Sequence, residues 1–533
     1  MATLEVIRAG AGSGKTTELC RIVAEAVSMK LDPSRILATT FTKKAAAELK
    51  SRMQAKLLGL DGDSNKTQFG HADRFDLAAI GTVHSVAIRL LSRYAIEMGL
   101  SPALEVLDES GSGRTLNDLL GQVQEENWIR LSDAAIRLSV DDLQKRILKL
   151  LEIKRGNRIS DELFLAQMSA STARLCEILG TVSTTLSDNA GERLLELAEQ
   201  AMEEIALLND TTGVTEGAKD KLRRLLSQGK PSWGKFVEAQ KIEAGKRTGA
   251  NAKLDPLRAF AAQVRNNPCL HEDIRNFGSI LAEETLRLND QYQMFKKERG
   301  YVDYIDLEIL FLELLSNDSV GEQIQHDYDL VLVDEFQDTN PLQLAIFQSL
   351  RSLTKRTCWV GDPKQAIYSF RDTDPELVNR VWNRKGNIDC RELSENYRSQ
   401  KGIVQFVGRA FEASLGAEAK QNPKKPGVPR GLERWLLETK NNVDEATALA
   451  VGIAKLREEG TRLGDIAVLE KTNSALADLA IALDQVGIPY LLESPGLFST
   501  REVERASQCA RRGFDRAILV SIRGQGRALF RDR

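Results

Sequence analysis

The chain carries no global excess of positive charge: 73 Lys and Arg stand against 76 Asp and Glu, a formal net charge of −3 over 533 residues. A basic field over the whole surface is excluded, so any nucleic-acid site must be a local groove. Cysteine is scarce and scattered. The six (Cys20, Cys176, Cys269, Cys358, Cys390 and Cys509) form no CxxC pair, which argues against a zinc site or a disulfide framework and for a reducing compartment. No apolar run is long enough to cross a bilayer, and no fixed-period repeat is visible. A strand and a glycine loop follow the N-terminus at once, leaving no room for a secretion signal. These absences predict a soluble cytoplasmic protein without a membrane partner, large enough for about two to four domains.

What is present starts at residue 9. AGAGSGKTT at 9–17 fits the phosphate-loop pattern, with Ala9 where the strict form has glycine. Gly10, Gly12 and Gly14 permit a tight path that turns successive N–H groups, those of Ala11 and Ser13 included, towards phosphate oxygens. Lys15 is placed to reach the β- and γ-phosphates, and the Thr16 hydroxyl to hold Mg2+. LEVIRA at 4–9 reads as a buried strand and Thr17 to Val27 as a helix. Phosphate would sit on that helix's N-terminus, where free amides and the dipole favour an anion.

A second apolar strand, DLVLVDE at 329–335, ends in two acids. Asp334 suits metal coordination, and Glu335 suits a base that orients water against a γ-phosphate. Acids also close apolar strands without catalysis, so the pair gains its meaning from Lys15 and Thr16 upstream. Both groups should lie at the carboxyl ends of parallel strands, where open α/β sheets bind ligands. A third segment, VGDPKQAIYSFR at 360–371, follows another apolar strand.

Strands alternate with helices over 1–100 and return with DLVLVD and TCWVGD, predicting an α/β fold built on a mostly parallel sheet. Residues 101–300 change to helical periodicity. In 190–208, Leu194, Leu197, Ala198, Ala201, Ile205 and Leu208 share one stripe, as in a helical subdomain packing its own core. Its basic loops, KPSWGK at 230–235 and GKRTGANAK at 245–253, read either as solvated loops or as grips for a DNA backbone. From 391 a second α/β segment is expected, with strands RWLLE, DIAVLE and IPYLLE and helices at 443–458 and 473–486.

These motifs, in this order, resemble superfamily 1 helicases of the UvrD/Rep type, especially the RecB/AddA branch. TFTKKAAAELKSR at 40–52 looks like motif Ia, GTVHS at 81–85 like the next DNA-contacting motif, and LSENYRS at 393–399 like motif IV. YQMFKKERGYVDYIDLE at 292–308 is similar to the return from insertion to core, and SPGLFSTREV at 494–503 to a later segment. The resemblance implies a P-loop NTPase of RecA-like fold using ATP and Mg2+, with a large all-helical insertion and a partial second RecA-like domain. The divisions it implies are 1–100 and 301–390 for the first motor domain, 101–300 for the insertion, 391–505 for the partial second domain, and 506–533 for an anomalous tail.

It also implies residue roles. Gln365 would sense the γ-phosphate, Tyr397 stack on adenine, and Arg398 stabilise charge on the transferring phosphoryl group. Phe370 would stack on a DNA base, a contact that tolerates any sequence, with Tyr368, Phe41, Thr42, Lys43, Thr82 and His84 along the same track. Core packing is the competing reading for Phe370 and Phe41, a structural hydrogen bond for His84, and plain solvent exposure for Lys43 and Lys44. The implied activity is ATP-dependent 3′→5′ movement on single-stranded and junction DNA in repair or recombination. The possible protein partner it implies is a nuclease or another member of a recombination complex.

The chain departs from the family pattern in places. No adenine-reading glutamine motif precedes the phosphate loop, RDT at 371–373 replaces Arg-Gly-Ala, and the last two helicase motifs are not found. Residues 501–533 hold nine arginines, no lysine and four acids, as expected of an out-of-frame reading or of a basic tail. A truncated motor is therefore expected. The alternatives are a non-catalytic ATP- and DNA-binding protein, or a regulatory ATPase whose site a partner completes.

Overall fold

The computed structural model describes residues 3–58, 73–102, 104–122, 125–183, 189–227, 231–367, 373, 375–382, 388–416, 420–427, 432–437 and 442–492. The chain divides into two compact units, Met1–Gly431 and Leu432–Arg533.

Six parallel strands form the centre of the first unit: β1 (Thr3–Ala9), β2 (Ile36–Thr40), β3 (Ala79–Thr82), β6 (Leu330–Val333), β7 (Arg356–Gly361) and β8 (Ile388–Leu393), in the spatial order β3-β2-β6-β7-β1-β8. Two short strands, β4 (Glu105–Leu107) and β5 (Tyr301–Asp303), pair with each other, as do β9 (Glu395–Gln400) and β10 (Asn422–Lys425). The main sheet is buried on both faces, as parallel sheets are. Val331 and Val333 point into one core with Leu4, Val6 and Trp359, while Leu330 and Leu332 point into the other with Ile7, Ile36 and Val360. Helices Val83–Arg93, Tyr304–Leu315 and Pro341–Leu353 cover the first face, and Lys15–Ser28 and Lys43–Leu57 the second. Every strand–helix connection therefore emerges on the carboxyl edge. Strand β8 straddles the sequence division at 390/391 and pairs with β1 from Leu4↔Ile388 to Ala9↔Leu393.

Between β4 and β5 the chain is helical. One apolar core joins helices Ala190–Leu207, Gly213–Leu226, Trp233–Gln240 and Asp255–Ala262, and a second joins Glu109–Leu120, Glu125–Leu138 and Leu143–Gly156. Helix Pro268–Arg299, 32 residues long, contributes to both; at 1.5 Å per residue it spans about 48 Å. It starts with Asn267 capping Cys269 N ahead of Pro268, and it ends at Gly300 in the left-handed region. The stripe expected over 190–208 is buried from Leu194 to Ile205 but not at its end. Leu208 caps the helix and is 36% exposed, because the chain turns away there.

That helical region is clamped to the sheet and its covering helices by a buried ionic cluster. Arg155 Nη2 lies 2.8 Å from Asp303 Oδ2 and 2.9 Å from Asp306 Oδ1. Lys296, 2% exposed, reaches Asp303 at 3.2 Å and also pairs with Asp306. Both acids form the capping box of helix Tyr304–Leu315. Burial alone would raise the Asp303 carboxyl, but Arg155 and Lys296 outweigh it and hold it at about 2. Within the segment 230–235, expected as a basic loop, helix Trp233–Gln240 instead begins, and its Trp233 is partly buried and donates to Asp273 at 2.7 Å.

In the second unit, helices Asn442–Glu458 and Asn473–Gln485 pack through Ala446, Ala450, Ile453, Leu479 and Leu483. The strands expected at RWLLE, DIAVLE and IPYLLE do not form over the described residues 434–437, 465–470 and 488–492. A strand needs a neighbour to accept its hydrogen bonds, and these segments pair with none. Leu436, Leu469, Ile481 and Leu491 are exposed.

Candidate functional site

The carboxyl ends of β1, β6 and β7 converge on one polar cluster. After β1 the chain turns through Gly10 to Gly14 into helix Lys15–Ser28. Gly12 has φ +74°, and a Cβ there would meet the Arg398 Cβ at 2.6 Å, so the position excludes any side chain. At Gly10 a Cβ would sit 1.8 Å from Gln421 Nε2. Strands β9 and β10 thus lie directly on the loop. Asn396 Nδ2 donates to Ala11 O at 2.7 Å and to Gln421 Oε1 at 2.9 Å, and Tyr397 N donates to Gly12 O at 2.9 Å.

Lys15 Nζ is 2.6 Å from Glu335 Oε2. Glu335 has φ +53°, a left-handed backbone for a non-glycine residue, and residues held this way cluster at functional sites. Phe336 pins the turn from below, stacked on Trp359 with ring centroids 4.5 Å apart. Asp334 N donates to Thr39 O at 2.9 Å, fixing the end of β6 against β2. Burial first, then the neighbouring Glu335, pushes Asp334 up to about 6 against the pull of Lys15, and the same causes act on Asp338. Two buried oxygens at this edge, Ser13 Oγ and Asp338 Oδ1, have no hydrogen-bond partner.

A chain of amide contacts runs on from Glu335. Gln337, 2% exposed, donates from Nε2 to Glu335 Oε2 at 2.7 Å and accepts from Asp362 N at 2.9 Å. Asp362 Oδ2 in turn accepts from Gln365 Nε2 at 2.7 Å. The β6 and β7 edges are thereby joined between the acid pair and the segment that carries Gln365.

Beside the acids opens a cavity of about 880 Å³ lined by Phe41, Lys43, Thr82, His84, Tyr304 and Asn340 as well as Asp334 and Glu335. The sequence-selected Phe41, Lys43, Thr82 and His84 are therefore neighbours of the acid pair. Thr42 and Thr82 also cap helices, accepting from Ala45 N at 3.1 Å and Ser85 N at 3.2 Å. Thr17 and Tyr397 are exposed, and the Tyr397 hydroxyl is bonded to Glu395. Tyr368, Phe370 and the 506–533 tail lie outside the described residues. Gln337, Asn396 and Gln421 were not selected from the sequence. Gln337 lies two residues beyond DLVLVDE and Asn396 inside LSENYRS, but no local pattern distinguishes a buried bridging amide from a solvated one. Gln421 has no signal at all.

Parallel strands, a glycine loop on a helix N-terminus and an acid pair at the next strand end define a P-loop nucleotide-binding α/β domain. The family model of the UvrD/REP helicase N-terminal domain matches residues 2–385, and that of the UvrD-like helicase C-terminal domain matches 391–508. The chain belongs to the UvrD/Rep helicase family. It is similar to the ATP-dependent helicase/nuclease subunit of Carboxydothermus hydrogenoformans, 26% identical over 92% of this chain and 49% of the relative. It is likewise similar to those of Leuconostoc mesenteroides, 26% identical over 93% and 48%, and Oenococcus oeni, 28% identical over 76% and 38%. The chain spans about half the length, or less, of these curated relatives. Among the described residues no helix is long and apolar enough to cross a membrane.

Proposed function

We propose that this chain is an ATP-driven motor that moves 3′→5′ along single-stranded DNA in the cytoplasm and acts at junctions during repair or recombination. One observation carries the reading: Asp334 and Glu335, poised opposite Lys15, line the same cavity as Phe41, Lys43, Thr82 and His84. Nucleotide chemistry and a DNA track then share a wall, as coupling requires.

In this reading the amides of the loop from Gly10 to Gly14, with Thr17 beside it, cradle the phosphates. Lys15 leaves Glu335 to bind the β- and γ-phosphates, freeing the carboxylate to orient water, and Arg398 takes up charge on the transferring group. Tyr397 stacks on the adenine. Mg2+, held by Thr16 and Asp334, would supply charge neutralisation on the phosphates; the unpartnered Asp338 Oδ1 and the Asp334 carboxylate are the oxygen donors such a cation fits. Gln365 reports the γ-phosphate to the DNA side through Asp362 and Gln337, and Tyr368 and Phe370 follow it along the track together with Thr42. We propose the divisions 1–100 with 301–390, 101–300 and 391–505 as motor, insertion and partial second motor. The relatives are designated subunits, which supports a protein partner, a nuclease or another member of a recombination complex.

The test is ATP turnover by the purified chain with and without single-stranded DNA, with Lys15→Ala as the blank. DNA-stimulated turnover that Lys15→Ala abolishes is the expected result. Nucleotide binding with no turnover above the blank would replace this reading with a partner-dependent or non-catalytic one.

A further inference from the structure

We infer that Glu308 is a positioning residue that holds His84 in the DNA track and ties it to the segment following the acid pair; the inference rests on the motor reading. Glu308 lies on helix Tyr304–Leu315 and is 4% exposed. A buried carboxylate must be satisfied by several donors, and here they come from two parts of the site, His84 and the Asn340–Gln343 capping box of helix Pro341–Leu353. Oε1 accepts from Gln343 Nε2 at 2.6 Å and lies 3.2 Å from His84 Nε2. Oε2 accepts from Asn340 Nδ2 at 3.2 Å. Asn340 is the N-cap of helix Pro341–Leu353, five residues beyond Glu335. The His84 ring is held on its other side by Tyr304, with ring centroids 4.6 Å apart. His84, Tyr304, Glu308, Asn340 and Gln343 all line the cavity that Asp334 and Glu335 reach.

A carboxylate used only for fold stability has no need to aim an imidazole into a cavity. This one does so while gripping the cap of the helix that follows the acid pair. Displacing His84 disturbs the carboxylate whose other oxygen holds Asn340, so DNA occupancy is felt at the nucleotide edge through one side chain. Glutamine cannot replace it, because its amide NH2 would face either the Asn340 donor or the Gln343 donor.

The test uses the full chain and a fluorescein-labelled oligothymidylate at fixed salt, with affinity read by anisotropy. Glu308→Gln is expected to raise the Kd about tenfold. Glu308→Asp, which keeps the charge but ends one methylene short, is expected to do the same with near-UV circular dichroism and thermal midpoint close to wild type. In a His84→Ala background either change should alter the Kd less than twofold, since the two residues act as one unit. A folded Glu308→Asp chain with wild-type affinity, or effects that multiply with His84→Ala, would overturn the inference. Failure of the wild-type chain itself to bind the oligonucleotide would remove the motor reading, and this inference with it.

Discussion

Two buried acid clusters in the first unit use the same residue type to opposite ends. At the clamp between insertion and core, Asp303 and Asp306 meet Arg155 and Lys296, and Asp303 is held at about 2. At the strand ends, Asp334, Glu335 and Asp338 share the pull of Lys15, and Asp334 and Asp338 are pushed up to about 6. One cluster is matched charge for charge, with Arg155 Nε as its unpartnered buried atom. The other leaves oxygens unpartnered and a backbone residue in the left-handed region. A matched cluster fixes a structure; in the motor reading proposed above, the cluster with too few cations of its own is the one that would receive a cation.

Lys15→Ala tests the open cluster with the largest expected effect. Removing a cation aimed at developing phosphate charge lowers turnover by roughly 10²–10³-fold, read as DNA-stimulated ATP hydrolysis. The global unfolding free energy should scarcely move. Arg155→Met should do the reverse, because it leaves Asp303 buried with Lys296 alone. Breaking such a pair costs about 3–5 kcal/mol, to be read by urea unfolding, with ATP affinity of the folded chain retained. If Arg155→Met is neutral, the clamp is not what holds the insertion.

Gln337→Leu sits between these. It removes the bridge from Glu335 to Asp362 and should cost about 1–3 kcal/mol through unpaired buried groups. It should also lower DNA stimulation of turnover more than nucleotide affinity. Equal losses in both would make the bridge structural only.

The smallest effect is in pH dependence, where the clusters have opposite signs. Asp303 is depressed, so its contribution to stability is present above the unfolded carboxyl value near 4 and is lost as pH falls towards 2. Asp334 and Asp338 are raised, so theirs is full below about 4 and is lost as pH rises through about 6. Unfolding free energy should therefore gain slightly from pH 7 to 5 and fall below pH 4. Asp338→Asn should flatten the first slope and Arg155→Met the second.

Legibility in the sequence follows the range of the forces. The glycine loop, Lys15, Thr16 and the acid pair were readable because each is a local arrangement on one strand end. The apolar strand whose Val331 and Leu332 are buried on opposite faces was readable for the same reason. Leu208 was not, since nothing local reveals where a helix stops being covered. Strand pattern alone also failed over 434–437, 465–470 and 488–492, where the segments have no strand neighbour among the described residues.

By itself, then, the sequence determined the parallel strands, the glycine loop and the acid pair at a strand end, because local sterics and side-chain periodicity suffice for these. Only the tertiary structure decided that β8 completes the main sheet, that Gln421 and Asn396 lie against the glycine loop, and that Gln337 and Glu308 bridge separate motifs. Each of those contacts joins residues brought together by burial, and a buried polar group takes its partner from whatever the fold places within reach.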